Sequence, residues 1–224
     1  MATAQASGLR LGTRGVPRAV READMVAAAT RLFAAREYDA VSMKEIADAA
    51  DVSKPMVYTY FESKQGLFLA CVEHWTAELM GQLEAATPDE LAPDVRMWRG
   101  LLAVFAFIDE NPDAWALLNP HGPAAGGQLA AGTARIREEI TVLLARLLRD
   151  AAVAEGVDPE VAGDATDAIA HALGAAVQGL AAWGQRNSKE SLEEQALRLM
   201  NFAWMGLENL MRGRLWLPPP GTVP

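Results

Sequence analysis

Cysteine and histidine are scarce in this chain of 224 residues. Cys71 is its one cysteine, and the sequence has only three histidines. A single cysteine rules out an internal disulfide, and it also rules out the cysteine-rich type of zinc site. The three histidines are scattered along the sequence. We therefore predict that the protein binds no metal and no cofactor.

Long apolar runs are also missing. Hydrophobic residues make up 51% of the chain. No uninterrupted apolar stretch reaches the roughly 20 residues that a membrane-spanning helix needs. The N-terminus does not show the basic segment followed by an apolar segment that marks a secretory signal. These absences predict a cytoplasmic protein that does not associate with membranes.

The motifs of common enzyme classes are absent as well. Gly126-Gly127 is not followed by a lysine, so the chain lacks a glycine-rich loop that would cradle a phosphate. Cys71 and His74 have the one-turn spacing of a thiolate–imidazole pair, but no third group that would orient them is evident. An enzyme is therefore the disfavoured class. A Cys71→Ala change separates the two interpretations, because a regulator should keep its activity.

Positive charge is in short supply, and it is unevenly placed. The net charge is −9, but residues 1–66 carry nine Lys and Arg against eight Asp and Glu. The excess of acidic residues therefore belongs to residues 67–224. Salt screens charges over about 8 Å at physiological ionic strength, so remote acidic residues would not stop the N-terminal part from approaching DNA phosphates. The weak local charge predicts modest non-specific DNA affinity.

The most informative stretch is residues 42–64, which read SMKEIADAADVSKPMVYTYFESK. Ser42 and Glu45 have the spacing of a capping box, in which each side chain bonds the other residue's backbone N–H at a helix start. Asp51 follows where the chain must turn, and aspartate tolerates positive φ better than most residues. Ser53 is the N-cap candidate of the next helix. These signals predict a helix-turn-helix.

At these residues the chain resembles the TetR family of one-component transcriptional regulators. The resemblance covers roughly residues 20–70 and rests on a specific pattern: Ile46-Ala47, Val52-Ser53-Lys54-Pro55, Tyr58, Tyr60-Phe61, Ser63-Lys64 and Leu67. Asp51 departs from that pattern, because the family usually has glycine there. The resemblance implies an all-α protein. It would have an N-terminal three-helix DNA-binding domain with the helix-turn-helix, and a larger C-terminal helical domain for ligand binding and dimerisation.

The remaining two-thirds of the chain matches the family only in length and helical character. Its apolar residues recur at helical spacing. The expected segments are a flexible arm at 1–16, the DNA-binding domain at 17–66, and the effector-binding and dimerisation domain at 67–224. Helices are expected at 17–36, 63–84, 89–110, 112–118, 133–154, 160–184 and 190–212. Residues 119–132 are rich in Gly, Pro and Ala and are expected to form a loop.

The resemblance also implies roles in DNA binding. Ser53, which begins the recognition helix, is itself an expected DNA-binding residue. The residues of that helix expected to enter the major groove are Lys54, Pro55, Met56 and Thr59. The residues expected to contact phosphates, which set register rather than sequence, are Ser42, Lys44, Tyr58, Tyr60 and Lys64. Lys64 is the strongest of these, because it adds its charge to the backbone N–H groups of a helix N-terminus. Tyr58 could instead pack beneath the recognition helix, and Lys44 could lie on a solvated helix face.

The N-terminal arm has a second interpretation of its own. Arg10, Arg14 and Arg18 could reach the minor groove or the phosphates when DNA is bound. The plainer interpretation is a disordered, solubilising tail, and we favour it.

Apolar and aromatic residues of the middle helices are expected to enclose a ligand cavity. The expected lining is Trp75, Met80, Trp98, Leu102, Phe105, Trp115, Ile136, Ile140 and Leu144. His171 and Gln178 lie in an otherwise apolar helix and would orient the ligand. Ordinary core is the commoner role for such apolar residues, and a core histidine or an interface hydrogen bond is the plainer role for the two polar ones. The lining predicts a mainly apolar or aromatic effector.

The last two helices are apolar over most of their surface, so they need cover on two sides. The resemblance implies that two such helices from each subunit form a four-helix bundle. The expected interface residues are Ala172, Ala176, Gly179, Leu180, Met200, Trp204, Leu207 and Met211. Ordinary monomer core is the alternative. A two-fold dimer would place its recognition helices about one DNA turn or more apart, so the operator would be an inverted repeat.

These expectations combine into one hypothesis and two alternatives. The hypothesis is a homodimeric repressor that leaves an inverted-repeat operator when a small, mainly apolar or aromatic ligand binds. The first alternative is an effector-independent structural or partner-binding protein that binds DNA with the same fold. The second is a transcriptional activator.

Overall fold

The computed structural model describes residues 17–119, 128–154, 156, 158–186 and 191–211, and their regular structure is helical throughout. The helices are α1 (Arg18–Ala35), α2 (Met43–Ala49), α3 (Lys54–Phe61), α4 (Lys64–Ala86), α5 (Pro93–Glu110), α6 (Pro112–Leu118), α7 (Gln128–Ala154), α8 (Pro159–Arg186) and α9 (Leu192–Met211). A short 3₁₀ turn, Tyr38–Ala40, lies between α1 and α2. The all-α prediction is confirmed. The predicted arm at 1–16 lies outside the described residues.

The chain divides into two compact units, Met1–Cys71 and Val72–Pro224. The boundary between these units falls inside α4, after residue 71. In the first unit, the helices α1 to α3 and the first two turns of α4 share one apolar core. Met25, Ile46, Val57 and Leu67 contribute one side chain from each of these helices, and all four are fully buried.

The predicted capping box begins α2. The Ser42 hydroxyl accepts a hydrogen bond from the Glu45 N–H at 3.2 Å, and the Ser42 N–H donates to Glu45 Oε2 at 2.8 Å. Arg36, which follows α1, donates to the other carboxylate oxygen of Glu45 at 2.9 Å. The start of α2 is therefore tied to the end of α1 by one glutamate.

The turn between α2 and α3 uses Asp51 as predicted. Asp51 has a φ of 52°, in the left-handed region. The Asp51 N–H donates to the Asp48 carbonyl at 3.3 Å, and the Val52 N–H donates to the Ala47 carbonyl at 3.0 Å. These two bonds are those of a Schellman motif, which satisfies carbonyl groups at the end of α2. Val52 is half-buried, so it covers the edge of the core rather than its centre.

The second unit is built mainly from long helices. α7 packs against α8, and α5 packs against α9. Phe105, Phe107 and Leu118 are among its largest fully buried side chains. α5 and α6 both begin at a proline, a residue that suits the first helical turn because its missing N–H would have no partner there.

The main departure from the predicted helices is at the start of α7. The sequence predicts a loop over 119–132, but α7 begins at Gln128. Leucine and alanine at 129–131 favour helix strongly enough to offset the cost of Gly132. None of the helices in the described ranges is both long enough and apolar enough to cross a membrane.

Candidate nucleic-acid interface and effector cavity

α3 presents one face to the core of the first unit and the other to solvent. Val57 and Phe61 are buried, because they lie one turn apart on the inner face. Among the residues predicted to enter the major groove, Lys54, Pro55 and Thr59 are exposed and Met56 is half-buried. Ser53 accepts a hydrogen bond from the Met56 N–H at 3.4 Å and caps the helix, as predicted. α3 can therefore present these side chains to an external partner.

Tyr58 does not pack beneath α3. It is 42% exposed, and the Lys54 Nζ atom lies 5.8 Å from the centre of its ring. Thr59 is exposed too, but its hydroxyl already donates to the Pro55 carbonyl at 2.9 Å. The Thr59 oxygen can still accept a hydrogen bond, and its methyl group can make apolar contacts.

Two cations near α3 are each held over a tyrosine ring. The guanidinium carbon of Arg18, at the start of α1, lies 4.8 Å from the centre of the Tyr60 ring. The Lys64 ammonium, at the start of α4, lies 4.1 Å from the centre of the Tyr38 ring. A cation held over an aromatic face gains electrostatic attraction and loses freedom of movement. Both charges are therefore fixed at the ends of the helices beside α3.

The start of α4 depends on a close backbone approach. Ser63 accepts a hydrogen bond from the Gly66 N–H at 2.9 Å and caps the helix. Glu62 has a φ of 62°, and the Ser63 N–H donates to the Phe61 carbonyl at 2.6 Å, which makes a tight γ-turn. The turn brings that carbonyl so close to Gly66 that any side chain at position 66 would collide with it. Lys64 is oriented by this turn.

Ser42 and Lys44, both predicted phosphate ligands, already have partners within α2. Lys44 donates to Asp48 Oδ2 at 2.7 Å, and both side chains are exposed. This hydrogen bond raises the pKa of Lys44. The Ser42 oxygen serves the capping box described above. A phosphate at this position would compete with Asp48 for the Lys44 ammonium. In the free protein Lys44 therefore lies on a solvated helix face, which is the alternative role considered for it above.

The second unit contains a cavity of about 440 Å³. Its lining is mostly apolar and comes from α4, α5, α6, α7, α8 and α9. The polar residues in the lining are Arg96, Asn119, Glu138, Thr141, His171 and Gln178. His171 and Ala175 also have exposed side chains, so the cavity reaches the surface beside α8.

Only part of the predicted lining borders this cavity. Trp115, Ile140, Leu144, His171 and Gln178 line it. The predicted residues that do not line it are Trp75, Met80, Trp98, Leu102 and Phe105. The side chain of Ile136 lies outside the described part of the chain.

On α5, the predicted stripe is rotated about the helix axis. The cavity is bordered by Met97, Leu101 and Val104, each one residue before a predicted position, and one residue is a rotation of about 100°. Phe105 is instead fully buried in the core. On α4, Trp75 packs edge-on against Phe107 with ring centres 6.3 Å apart. Phe105 and Trp75 therefore contribute to the packing of the second unit rather than to the cavity wall.

The predicted dimer residues divide between α8 and α9. On α8, Ala172 and Gly179 are exposed, with open space around Gly179, and Ala176 and Leu180 are half-buried. On α9, Trp204 lines the cavity and Met200 is half-buried. The side chains of Leu207 and Met211 lie outside the described residues. The exposed large apolar residues of α9 are Leu197, Phe202 and Met205, and none of them is among the predicted interface residues.

Cys71 does not form the catalytic pair that its spacing with His74 suggested. It is fully buried, and its thiol donates to the Val26 carbonyl with an Sγ–O distance of 3.6 Å. Burial raises the pKa of Cys71 to about 12. A thiol in this setting is not a nucleophile at neutral pH.

Comparison with known proteins identifies the family. The profile described as "Bacterial regulatory proteins, tetR family" matches residues 25–71. The structure is similar to that of a TetR-like transcriptional regulator from Rhodococcus sp. RHA1, with a TM-score of 0.72 and 28% identity. That similarity covers 86% of this chain and 98% of the other. Residues 25–71 are a TetR-family DNA-binding domain. The TetR family consists of transcriptional regulators and not of enzymes.

Two curated TetR-type relatives are similar in part of their length. The HTH-type transcriptional activator FasR of Mycolicibacterium smegmatis is 33% identical over 126 residues, which are 56% of this chain and 57% of that protein. An uncharacterised HTH-type transcriptional regulator of Mycobacterium tuberculosis is 30% identical over 118 residues, 53% of this chain and 56% of that protein. The chain thus spans just over half the length of the curated relatives that it matches.

Three residues of these sites, and the ring contact of a fourth, could not be assigned from the sequence. Gly66 lies in the first turn of the predicted helix 63–84, where glycine is unfavourable, and that conflict could have marked a close backbone contact. Tyr38 and Arg96 carry no local signal, because their importance depends on partners that only the fold brings near. Arg18 was assigned to the arm, and its contact with Tyr60 could not be read from spacing.

Proposed function

We propose that this TetR-family protein is a sequence-specific DNA-binding transcriptional regulator in which α3 is the recognition helix. One observation carries the proposal: α3 has an exposed face, and two cations held on tyrosine rings lie near it, Arg18 on Tyr60 of α3 itself and Lys64 at the start of the next helix. Fixed cations close to a recognition helix suit contacts to the phosphates that border a major groove. Lys54, Pro55 and Met56 would then contact base edges.

The proposed active form is a homodimer on an inverted-repeat operator. On α8, Ala168, Ala172, Ala175 and Gly179 form a stripe of exposed small residues, with Trp183 exposed at its end. Small side chains allow two helices to approach closely, so this stripe supports pairing with a second copy of α8. Leu197, Phe202 and Met205 on α9 would add apolar area to the same kind of contact.

A small, mainly apolar effector is proposed to bind the cavity of the second unit. Its volume of about 440 Å³ lies within the usual range for small-molecule sites, about 300–1,000 Å³. α4 provides Leu79 and Leu83 to the cavity wall, and the same helix begins with Lys64. A ligand that shifts α4 would therefore displace a proposed phosphate contact. Such coupling typically amounts to about 1–3 kcal/mol.

Release from the operator would make the protein a repressor. The alternative is that the protein activates transcription. One observation favours it: the chain is similar to FasR, which is named a transcriptional activator. Either form acts on chromosomal DNA, so we expect the protein in the cytoplasm.

The test is selection of bound genomic fragments by the wild-type protein and by Lys64→Ala. We expect a few inverted-repeat sites with the wild type and their loss in the variant. Arg149→Ala is the matched control, because it also removes one positive charge but lies in the second unit. It should recover the same sites as the wild type. Recovery of fragments without any sequence preference would contradict the proposal.

A further inference from the structure

Arg96 of α5 is a charged side chain in an otherwise apolar wall. Its side chain is 8% exposed, and the residue lines the cavity of the second unit. The Nε atom is buried and has no hydrogen-bond partner. A guanidinium has five N–H donors, and a buried donor without an acceptor is costly enough that most proteins avoid it. The Arg96 Nε–H group is therefore a donor that lacks an acceptor beside the cavity.

The two terminal nitrogens of the Arg96 guanidinium face partly exposed carboxylates. Its Nη2 atom donates to Asp89 Oδ1 at 2.8 Å, and its Nη1 atom lies 3.9 Å from Asp150 Oδ2. Asp89 is 81% exposed and Asp150 is 49% exposed, so water competes for both carboxylates. Exposed ion pairs are weak, and a small rotation of the guanidinium would cost little on that side.

The other polar groups of the lining are less suited to act as the main donor. The Asn119 amide already donates to the Trp115 carbonyl at 3.3 Å. His171 is exposed, and Gln178 is half-buried. Arg96 is the most buried ionic group that borders the cavity within the described residues, so a hydrogen bond to it would be sheltered from water and correspondingly strong.

From this geometry we infer that the effector is a mainly hydrocarbon molecule with one oxygen acceptor, and that Arg96 donates to that oxygen. The inference rests on the proposed effector role of the cavity and narrows it to a chemical class. The oxygen belongs to a carbonyl or to a carboxylate, and the two sources have different consequences. A carboxylate would compete with Asp89 for the guanidinium, whereas a neutral carbonyl would leave that ion pair in place.

The test uses three probes of one chain length: 2-octanone, 2-methyl-1-octene and octanoate. The first two have the same shape, but the alkene replaces the oxygen with a methylene group. Binding to the full chain is measured by calorimetry. We expect 2-octanone to bind the wild-type protein about tenfold more tightly than the alkene, since a hydrogen bond to a charged donor is worth that much. This comparison requires no variant, so it holds even if a substitution prevents folding.

Two variants assign the donor. The preference for 2-octanone should vanish in Arg96→Met, and it should persist in Asp89→Asn, which keeps the guanidinium and removes its exposed partner charge. Octanoate that binds more tightly to Asp89→Asn and is lost with Arg96→Met would assign the oxygen to a carboxylate. Octanoate that binds more weakly than 2-octanone throughout would assign it to a carbonyl.

Other results would overturn the inference. Equal binding of ketone and alkene, or a preference that survives Arg96→Met but is lost in Gln178→Leu, would remove Arg96 from this role and leave the cavity as an effector site. If none of the three probes binds, both this inference and the proposed effector role fail. Operator binding in a gel-shift assay is measured separately, so the DNA-binding proposal stands or falls on its own result.

Discussion

Lys64 lies over the ring of Tyr38, with its ammonium 4.1 Å from the ring centre. This contact comes from an aromatic face rather than from a hydroxyl, so Tyr38→Phe should keep it and Tyr38→Leu should not. We expect the Phe variant to bind the operator like the wild type and the Leu variant to bind several-fold more weakly. Lys64→Gln should lower the salt slope of binding by about one. Operator titrations at several salt concentrations measure both effects, and equal affinity of the Phe and Leu variants would contradict the role of the ring.

Two glycines of α4 should respond in opposite ways to the same substitution. A side chain at Gly66 would meet the Phe61 carbonyl oxygen, whereas Gly81 has no heavy atom within 4 Å of the position its Cβ would take. We expect Gly66→Ala to destabilise the protein by about 1–3 kcal/mol because the contact is overpacked. Gly81→Ala should stabilise it by up to about 1 kcal/mol through helix propensity. Urea unfolding measures both, and a stable Gly66→Ala protein would refute the close approach at the γ-turn.

Asp51 occupies a backbone conformation in which glycine is more comfortable, with a φ of 52°. Asp51→Gly should therefore raise the free energy of unfolding by up to about 1 kcal/mol. The control is Ala49→Gly, at the exposed last residue of α2, which should lower it by up to about 1 kcal/mol. A loss of stability in both variants would mean that the aspartate side chain contributes more at the turn than the backbone strain costs.

Glu45 should make the stability of the first unit depend on acid pH. Hydrogen bonds from the Ser42 side chain and N–H, and then from Arg36, lower the pKa of Glu45 from 4.5 to about 2. Between those two values the unfolded chain binds more protons than the folded chain, so stability falls as the pH falls. The contribution is complete above about pH 4.5 and lost near pH 2. Glu45→Gln should flatten this decline, and Glu73→Gln, an exposed control on α4, should not. Thermal unfolding at a series of pH values measures it.

Cys71 should resist thiol reagents while the protein is folded. Its pKa is raised to about 12 by burial, so almost no thiolate is present at pH 8. We expect labelling by a disulfide reagent to proceed only as fast as the protein unfolds, and urea should accelerate it. Rapid labelling in native buffer would show that the first unit opens easily around α4.

The helix-turn-helix could be predicted in detail because its signals are local. The Ser42–Glu45 capping box, Asp51 at positive φ and the Ser53 cap each depend on residues within a few positions of one another. α5 was placed correctly as a helix, but its cavity-facing side was not. A helix that is apolar on several sides gives no signal for which apolar side meets a cavity and which meets the core, so Phe105 was misassigned.

Contacts between distant segments could not be predicted at all. Arg96 meets Asp89 nearby in sequence, but Asp150 reaches it from α7, and the cavity beside it is formed by helices far apart in the chain. The same holds for Arg18 and Tyr60. Sequence spacing fixes neighbours within a helix, whereas the partners of a side chain across helices depend on how the helices cross.

The division between the two units inside α4 decides where the protein can be cut. A fragment that ends at Cys71 would keep only the first eight residues of the helix, and isolated helical ends of that length fray. Leu67, Phe68 and Cys71 are buried in the first unit, so fraying would expose its core. A fragment that ends after Ala86 would retain the whole helix. A fusion of this DNA-binding unit to another ligand-binding domain should therefore join the two proteins after the end of α4 and not within it.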